Sequence, residues 1–157
     1  MTSTTSLAKI GRGAAADLQP GKVFLPLHQG HSEPARRSHG VEYHLPEDHL
    51  PTVIARCQTR QDVQLAIRTA RTHGLAISVR GGDSGSIGRV LKRGGMVIDL
   101  SAMRHVAVDP ATRVAIVAGG ATVNDVVAAA AAHGLTPVTG IRGTVGLAAI
   151  CSRRRLC

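Results

Sequence analysis

The feature that most constrains the fold of this chain is a helix signature that occurs twice. In both copies an aspartate follows a threonine by three residues, which is the spacing of a helix capping box. Each copy contains an apolar face at helical spacing and ends at a His-Gly pair, glycine being common just beyond a helix end. The first copy consists of Thr59, Asp62, the apolar set Val63, Ala66, Ile67 and Ala70, and His73-Gly74; the second consists of Thr122, Asp125, the apolar set Val123, Val126, Val127 and Ala130, and His133-Gly134. Two similar helices are therefore predicted.

Short segments rich in β-branched residues surround these helices and predict strands. One strand precedes the first helix, one follows it, and further strands lie between the two helices, the last two forming a hairpin around Pro110-Ala111. The predicted strands are VIARC (53–57), AISVR (76–80), MVIDL (96–100), 106–109 and 113–119. Because parallel and antiparallel pairings are both implied, we predict the α+β (mixed α/β) class.

The amino-terminal third of the chain shows no such pattern. Residues 1–20 lack the apolar centre of a secretory signal and are expected to be mobile, and prolines break residues 21–50 into irregular structure. We therefore predict a partly disordered leader over residues 1–45 and an ordered domain over residues 46–149. The chain has one Phe, one Tyr and no Trp, so a thin core is expected, and no apolar run is long enough to span a bilayer.

The charge and the cysteine content limit the classes of partner. The formal net charge is +9, which raises the possibility of nucleic-acid contact, but the arginines are scattered and no aromatic side chains interleave with them for base stacking. An anionic cofactor explains part of this charge more simply. The three cysteines and eight histidines match no metal-site spacing, so no metal is predicted. Unpaired cysteines are typical of a reducing compartment, and a cytoplasmic location is expected.

A glycine-rich loop follows the strand AISVR. Gly81, Gly82, Gly85 and Gly88 lack a Cβ atom, so they can adopt positive φ and turn successive N–H groups into a nest for a phosphate. Arg80 would add a fixed positive charge. The loop has neither the Lys-Ser/Thr ending of a P-loop nor the G-x-G-x-x-G spacing of a dinucleotide fingerprint. A tight connection without a ligand therefore stays open as an alternative.

The order of several motifs along the chain helps to distinguish a ligand-binding loop from a tight connection. Along residues 45–149 the chain reads P-x-V-I-A-R-C, TRQDVQLAIRTARTHGL, SVRGGDSGSIG, GGMVIDLSAM, a hairpin, AGGATVNDV and G-x-x-GTVGLA. This order closely resembles the FAD-linked oxidases of the p-cresol methylhydroxylase, vanillyl-alcohol oxidase and berberine-bridge type. The resemblance implies a small strand-helix-strand subdomain and part of an antiparallel subdomain, with FAD extended between them.

The resemblance also implies which residues bind the cofactor. The pyrophosphate of FAD would lie at the loop after the strand AISVR, and two later glycine-rich segments would help to enclose it. The implied cofactor-binding residues are Arg80, Gly81, Gly82, Asp83, Ser84, Gly85, Gly119, Gly120, Gly140, Gly143, Thr144, Val145 and Gly146. Members of the family oxidise a small organic substrate, such as an alcohol, sugar, amine or phenol, by hydride transfer to FAD.

Two departures from the family pattern bear on the flavin linkage. Where the covalent branch has R-G-G-G-H, this chain has Asp83 in place of a glycine and Ser84 in place of the histidine. Arg142 lies at about the place where bicovalent members have a cysteine. We therefore expect FAD to bind without a covalent bond, and we expect the charge of Asp83 to weaken pyrophosphate binding.

The carboxyl-terminal segment also departs from the family. After GTVGLA the family continues with a glycine triplet and a substrate-covering domain, whereas residues 150–157 form an arginine-rich tail. A shift of reading frame near codon 150 would restore such a triplet, so an incomplete FAD-binding domain is expected. No catalytic residue is assigned. A catalytically inactive flavin- or nucleotide-binding module and a basic nucleic-acid-binding protein remain alternatives to the oxidoreductase.

Overall fold

The computed structural model describes residues 4–18, 23–24, 51–82, 94–140 and 142–148. The chain divides into two compact units, the first formed by Met1–Arg80 and Gly85–Asp99 and the second by Gly81–Ser84 and Leu100–Cys157. The predicted boundaries at 45/46 and 149/150 and the arginine-rich tail lie outside the described residues. The class is mixed, with helices and strands in both units, as the sequence predicts.

The first unit is built on a four-stranded sheet with the order β1-β2-β4-β3. Strand β4 pairs in parallel with both β2 and β3, and β1 pairs antiparallel with β2. The strands are β1 (Val23–Phe24), β2 (Val53–Arg56), β3 (Ile77–Arg80) and β4 (Met96–Asp99). The short β1 lies in the segment for which the sequence predicts irregular structure.

Strand β4 forms the centre of this sheet. Each of its four residues, Met96–Asp99, is at most 2% exposed. A continuous apolar run covered on both faces is typical of a parallel strand, and the MVI sequence has this pattern. The adjacent residues Val53, Ile54 and Ala55 of β2 are also buried, so the core of the first unit lies on these two strands.

Helix α2 (Arg60–Thr72) connects β2 to β3 and begins at the predicted capping box. The Asp62 carboxylate accepts hydrogen bonds from the N–H groups of Gln58 and Thr59, each at 2.9 Å. The helix ends at His73, and Gly74 has a φ of 63°, a left-handed conformation that favours glycine. The buried residues are Ala66, Thr69 and Ala70, whereas Ile67 of the predicted apolar face is 38% exposed.

Helix α1 (Thr4–Ala16) corrects the prediction of a mobile segment over residues 1–20. Ala14 is fully buried and Leu18 is nearly so. The Asp17 carboxylate lies 2.9 Å from Nε2 of His73, at the end of α2. The sequence signal for this helix is weak because glycines at positions 11 and 13 lower its helix propensity.

The second unit contains a hairpin and a helix that packs on it. Strands β5 (Val106–Asp109) and β6 (Val114–Val117) pair antiparallel, as predicted, with Asp109 opposite Val114. In the connecting turn Arg113 has a φ of 57°, and the Thr112 hydroxyl donates to Oδ2 of Asp109 at 2.7 Å. This hydrogen bond, together with those from the backbone of Thr112 and Ala111, lowers the pKa of Asp109.

Helix α3 (Val123–Ala131) begins at the second predicted capping box. Val123, Val126 and Ala130 are buried, as expected, but Val127 is 42% exposed. Val127 is the third residue of its apolar set, as Ile67 is of the other set. Each helix therefore buries a narrower part of its surface than the apolar face in its sequence indicates. In the described part of the chain, no helix is long and apolar enough to cross a membrane.

Replacing the capping threonine of α2 should destabilise the fold. In Thr59→Ala the N–H of Asp62 loses its side-chain acceptor, and we expect a loss of about 1 kcal/mol in the free energy of unfolding. Urea denaturation followed by circular dichroism measures this loss. Thr72→Ala, an exposed change at the other end of the same helix, is the matched control and should be nearly neutral. Equal losses in the two variants would contradict the capping role.

Candidate functional site

Arg80 is the last residue of β3 and belongs to the first unit, which the chain leaves at Gly81. Its side chain is 8% exposed, and its Nη1 atom lies 3.4 Å from Oδ2 of Asp99, which is 1% exposed. From the sequence, Arg80 is expected to provide a fixed positive charge to an anionic ligand. In the structure a buried carboxylate compensates that charge, so the pair is close to neutral as a unit.

Four glycines of the second unit meet at one place, and we call Gly81, Gly82, Gly119 and Gly146 the glycine cluster. A Cβ atom added to Gly81 would stand 2.5 Å from the carbonyl oxygen of Gly119. A Cβ atom added to Gly82 would meet the backbone nitrogen and, at 2.6 Å, the Cα atom of Gly146. The glycine cluster therefore joins three backbone segments that side chains would hold apart.

The reason for these glycines differs from the one that the sequence suggests. Among the described residues, the glycines with positive φ are Gly74, Gly94 and Gly134, and none of these belongs to the glycine cluster. A nest made by alternating right- and left-handed residues is therefore not present at Gly81-Gly82. Close approach of one backbone segment to another is the property that requires glycine here.

The N–H groups of the glycine cluster are the donors that this arrangement offers. Within the part of the chain that the structure describes, no backbone hydrogen bond is donated by Gly81, Gly82, Gly119 or Gly146. Gly146 is buried and the other three are half-buried. Because backbone N–H groups withdrawn from water need an acceptor, the glycine cluster suits an anionic ligand or bound water.

Gly120 has a different role beside the glycine cluster. A Cβ atom on Gly120 would overlap the carbonyl oxygen of Leu100, and its N–H donates to the carbonyl oxygen of Met103 at 2.9 Å. The N–H of Met103 in turn donates to the carbonyl oxygen of Leu100 at 2.8 Å. Gly120 thus fixes the turn after β6 against the segment that follows β4.

The predicted third glycine segment packs on the first turn of α3. The N–H groups of Val123 and Asn124 donate to the carbonyl oxygens of Val145 and Gly143, both at 2.9 Å. The next N–H, that of Asp125, donates to the hydroxyl of Thr122. The first N–H groups of α3 are therefore satisfied by the protein itself, and this helix terminus does not offer them to an anion.

An ion pair reinforces the same helix terminus. The Arg104 guanidinium donates to both carboxylate oxygens of Asp125, at 2.9 and 2.7 Å. The carboxylate also accepts the N–H of Thr122 at 2.7 Å. The hydrogen bond from Arg104 is the main reason that the pKa of Asp125 falls from 3.8 to about 2.

The predicted site residues fall into three groups. The structure brings Gly81, Gly82, Gly119, Gly120 and Gly146 together, and Gly143, Thr144 and Val145 lie in the loop that packs on α3 and reaches Gly82. Arg80 belongs to the first unit, and Gly140 is exposed with no described backbone hydrogen bond to the glycine cluster. Asp83, Ser84 and Gly85 lie outside the described residues.

Sequence reasoning missed several residues at this place. Asp99 holds Arg80, Leu100 and Met103 supply carbonyl oxygens to the turn, and the Asn124 side chain covers Gly143. A signal for Asp99 was present, because the apolar strands ISVR and MVID both end on a charged residue. In the described ranges, no group of three or more His, Cys, Asp or Glu side chains could hold a metal ion.

Comparisons with known proteins identify the family and the fold of this chain. The family described as FAD binding domain matches residues 51–152. (R)-6-Hydroxynicotine oxidase of Paenarthrobacter nicotinovorans is 41% identical over 96 residues, which is 61% of this chain and 21% of that protein. The chain thus spans about a fifth of the length of that curated relative.

Solved structures give the same result. The crystal structure of 6-hydroxy-D-nicotine oxidase from Arthrobacter nicotinovorans superposes with a TM-score of 0.70 and 35% identity, over 83% of this chain and 28% of that one. BBE-like protein 28 of Arabidopsis thaliana superposes with a TM-score of 0.62 and 25% identity, over 69% of this chain and 23% of that one. The resemblance to FAD-linked oxidases of the p-cresol methylhydroxylase and berberine-bridge type is confirmed, and so is the fold class.

The adjacent glycines 119 and 120 should respond differently to alanine. In Gly120→Ala the new methyl group meets the rigid backbone of Leu100, and we expect the free energy of unfolding to fall by about 1–3 kcal/mol. In Gly119→Ala the methyl group meets only the Cδ1 atom of the Leu100 side chain, 2.9 Å away, and that atom can rotate aside. Urea denaturation of both variants measures the difference, and equal stabilities would contradict the close packing at Gly120.

The ion pair at α3 should give the fold a pH dependence. Because the folded state lowers the pKa of Asp125 from 3.8 to about 2, its carboxylate stabilises the fold above pH 3.8 and loses this effect as the pH falls towards 2. The urea midpoint of the parent should therefore fall further over that range than the midpoint of Asp125→Asn. Arg104→Gln is the matched control, in which the loss should move to higher pH. Parallel curves for the parent and Asp125→Asn would exclude this contribution.

Proposed function

Because the chain belongs to the FAD binding domain family, we propose that it binds FAD non-covalently, with the diphosphate against the glycine cluster. In this proposal the chain is the cofactor-binding part of a flavin-dependent oxidoreductase. The bound FAD would supply the redox chemistry, and the residues described above would bind and orient it.

The observation that carries the proposal is the set of N–H groups in the glycine cluster. Gly81, Gly82, Gly119 and Gly146 come from three segments, and their N–H groups donate to no carbonyl oxygen of the described residues. A diphosphate has several anionic oxygens, so it can accept from donors on separate segments at once. The absence of Cβ atoms lets these segments, and a ligand beside them, approach closely.

Non-covalent binding is supported by the sequence around two positions. Ser84 stands where the covalent branch of the family has its histidine, and a hydroxyl does not form a histidyl–flavin bond. Arg142, at about the place of the second linkage, is exposed. The chain therefore offers the flavin neither the histidine nor the cysteine of the covalent linkages.

The substrate is proposed to be a small organic molecule, such as an alcohol, sugar, amine or phenol, that gives a hydride to FAD. The relative named (R)-6-hydroxynicotine oxidase supports an oxidase of small molecules. The activity of the whole protein is part of the proposal, since the chain spans 21% of that relative.

A second candidate is a flavin-binding module without its own catalysis. The side chains that the structure places against the clustered glycines and Gly143 are those of Leu100 and Asn124. Neither is an acid or a base at neutral pH, so they can shape the site but not transfer a proton.

Titration of the purified chain with FAD tests the proposed binding. We expect bound FAD with altered flavin fluorescence, and we expect ADP to compete about tenfold better than adenosine, because charge-assisted hydrogen bonds from the N–H groups act on the diphosphate. Thr72→Ala, an exposed change in α2 of the first unit, is the control and should bind FAD as tightly as the parent. Absence of FAD binding in a folded chain would reject the proposal.

Acid precipitation and anaerobic reduction separate the remaining alternatives. Flavin that leaves with the supernatant after acid precipitation supports non-covalent binding, whereas flavin retained in the pellet would contradict it.

Loss of oxidised-flavin absorbance on anaerobic addition of an amine, alcohol, sugar or phenol would support the oxidoreductase. Flavin that binds but is never reduced by these substrates would favour the non-catalytic module.

A further inference from the structure

We infer that Asp99 is a positioning residue of the cofactor site: its ion pair with Arg80 holds together the two strand ends from which the chain enters the glycine cluster. This inference rests on the proposed binding of FAD. It assigns to Asp99 a role that the sequence patterns did not indicate, and it changes the role expected of Arg80.

The pair lies at the ends of two adjacent parallel strands. Arg80 ends β3, Asp99 ends β4, and the two residues are partners in the register of the sheet. Their side chains meet at 3.4 Å with 8% and 1% exposure. The carbonyl oxygen of Asp99 also accepts the N–H of Cys57 at 2.8 Å, so its backbone is fixed to the segment after β2.

Both residues stand where the chain passes from the first unit to the second. Gly81 follows Arg80 and Leu100 follows Asp99, and each of these next residues belongs to the second unit. There Gly81 lies against Gly119, and the carbonyl oxygen of Leu100 lies against Gly120. Gly119 and Gly120 are consecutive residues, so these two contacts are adjacent. Each member of the ion pair is joined by one peptide bond to a residue that makes one of them.

Asp99 is the carboxylate that the structure places against Arg80. Two other described carboxylates of the first unit have contacts elsewhere, since Asp17 is engaged with His73 and Asp62 accepts the N–H groups of Gln58 and Thr59. Removing one partner of a buried ion pair leaves the other charge in a medium of low dielectric constant, which is strongly unfavourable. Without the Asp99 carboxylate, the Arg80 side chain is expected to turn towards water and to move the start of the loop at Gly81.

This arrangement also explains how Arg80 would act on the cofactor. Its charge is balanced by Asp99, so attraction of a diphosphate by a bare guanidinium is not the main effect. The arginine instead fixes the direction in which Gly81 and Gly82 leave β3. The N–H groups of the glycine cluster then lie in place before any ligand arrives, which lowers the entropy cost of binding.

The test uses the full chain and the variant Asp99→Asn, which keeps the shape of the side chain and removes its charge. Amide hydrogen exchange is measured well below the unfolding midpoint, and FAD affinity is measured on the same samples. We expect exchange about tenfold faster at Cys57, Met103 and Gly120, whose N–H groups donate the hydrogen bonds next to Asp99 and Leu100, unchanged exchange in α2, and FAD affinity about tenfold weaker. Asp17→Asn is the matched control, since it removes a carboxylate from an ion pair of the same unit.

The double variant Arg80→Gln/Asp99→Asn keeps the test decisive if Asp99→Asn unfolds. Removal of both charges should restore most of the unfolding midpoint. Because a neutral pair does not hold the strand ends as firmly, exchange at Met103 and Gly120 should stay fast and FAD affinity should stay weak. A folded single or double variant with parental exchange and parental FAD affinity would overturn the positioning role.

The two readouts separate this inference from the proposed function. A parent chain without measurable FAD affinity would reject the proposed function and the cofactor role of Asp99 together. Parental FAD affinity in a folded Asp99→Asn variant, with a parent that binds FAD, would reject the role of Asp99 alone.

Discussion

The pairing of β4 with both of its neighbours is the constraint on which the rest of the described structure depends. Its four residues are buried, and Asp99 at its end is tied through its backbone to Cys57 and through its side chain to Arg80. Because the chain enters the second unit directly after Arg80 and directly after Asp99, the register of this sheet sets the starting points of both connections. The glycine cluster begins from positions that β4 determines.

In the second unit the main structural constraint is the close approach of backbone segments to one another. Gly81, Gly82 and Gly146 leave no room for side chains, because backbone atoms of other segments occupy the places of their Cβ atoms. The same packing leaves the N–H groups of the glycine cluster without an acceptor among the described residues. In the proposed function, these N–H groups are the donors to the diphosphate of FAD.

Local sequence patterns predicted the regular elements well, and their failures have physical causes. Both capping boxes and the strand positions are found as expected, since these depend on residues close in sequence. Ile67 and Val127 belong to the predicted apolar faces but are partly exposed, because periodicity gives the direction of an apolar face and not the width that a neighbour covers. Helix α1 contains glycines at positions 11 and 13, which lower helix propensity and weaken its sequence signal.

By itself, the sequence determined the two capped helices, the strands and hairpin, and the order of glycine motifs that identifies a FAD-linked oxidase domain. Only the tertiary structure decided what the motifs do in space. It placed Asp99 against Arg80, satisfied the first N–H groups of α3 with the loop at Gly143 and Val145, and left the donors of the glycine cluster without acceptors among the described residues. The physical reason is that capping and periodicity act between neighbours in sequence, whereas charge compensation and backbone packing join residues that are distant in sequence.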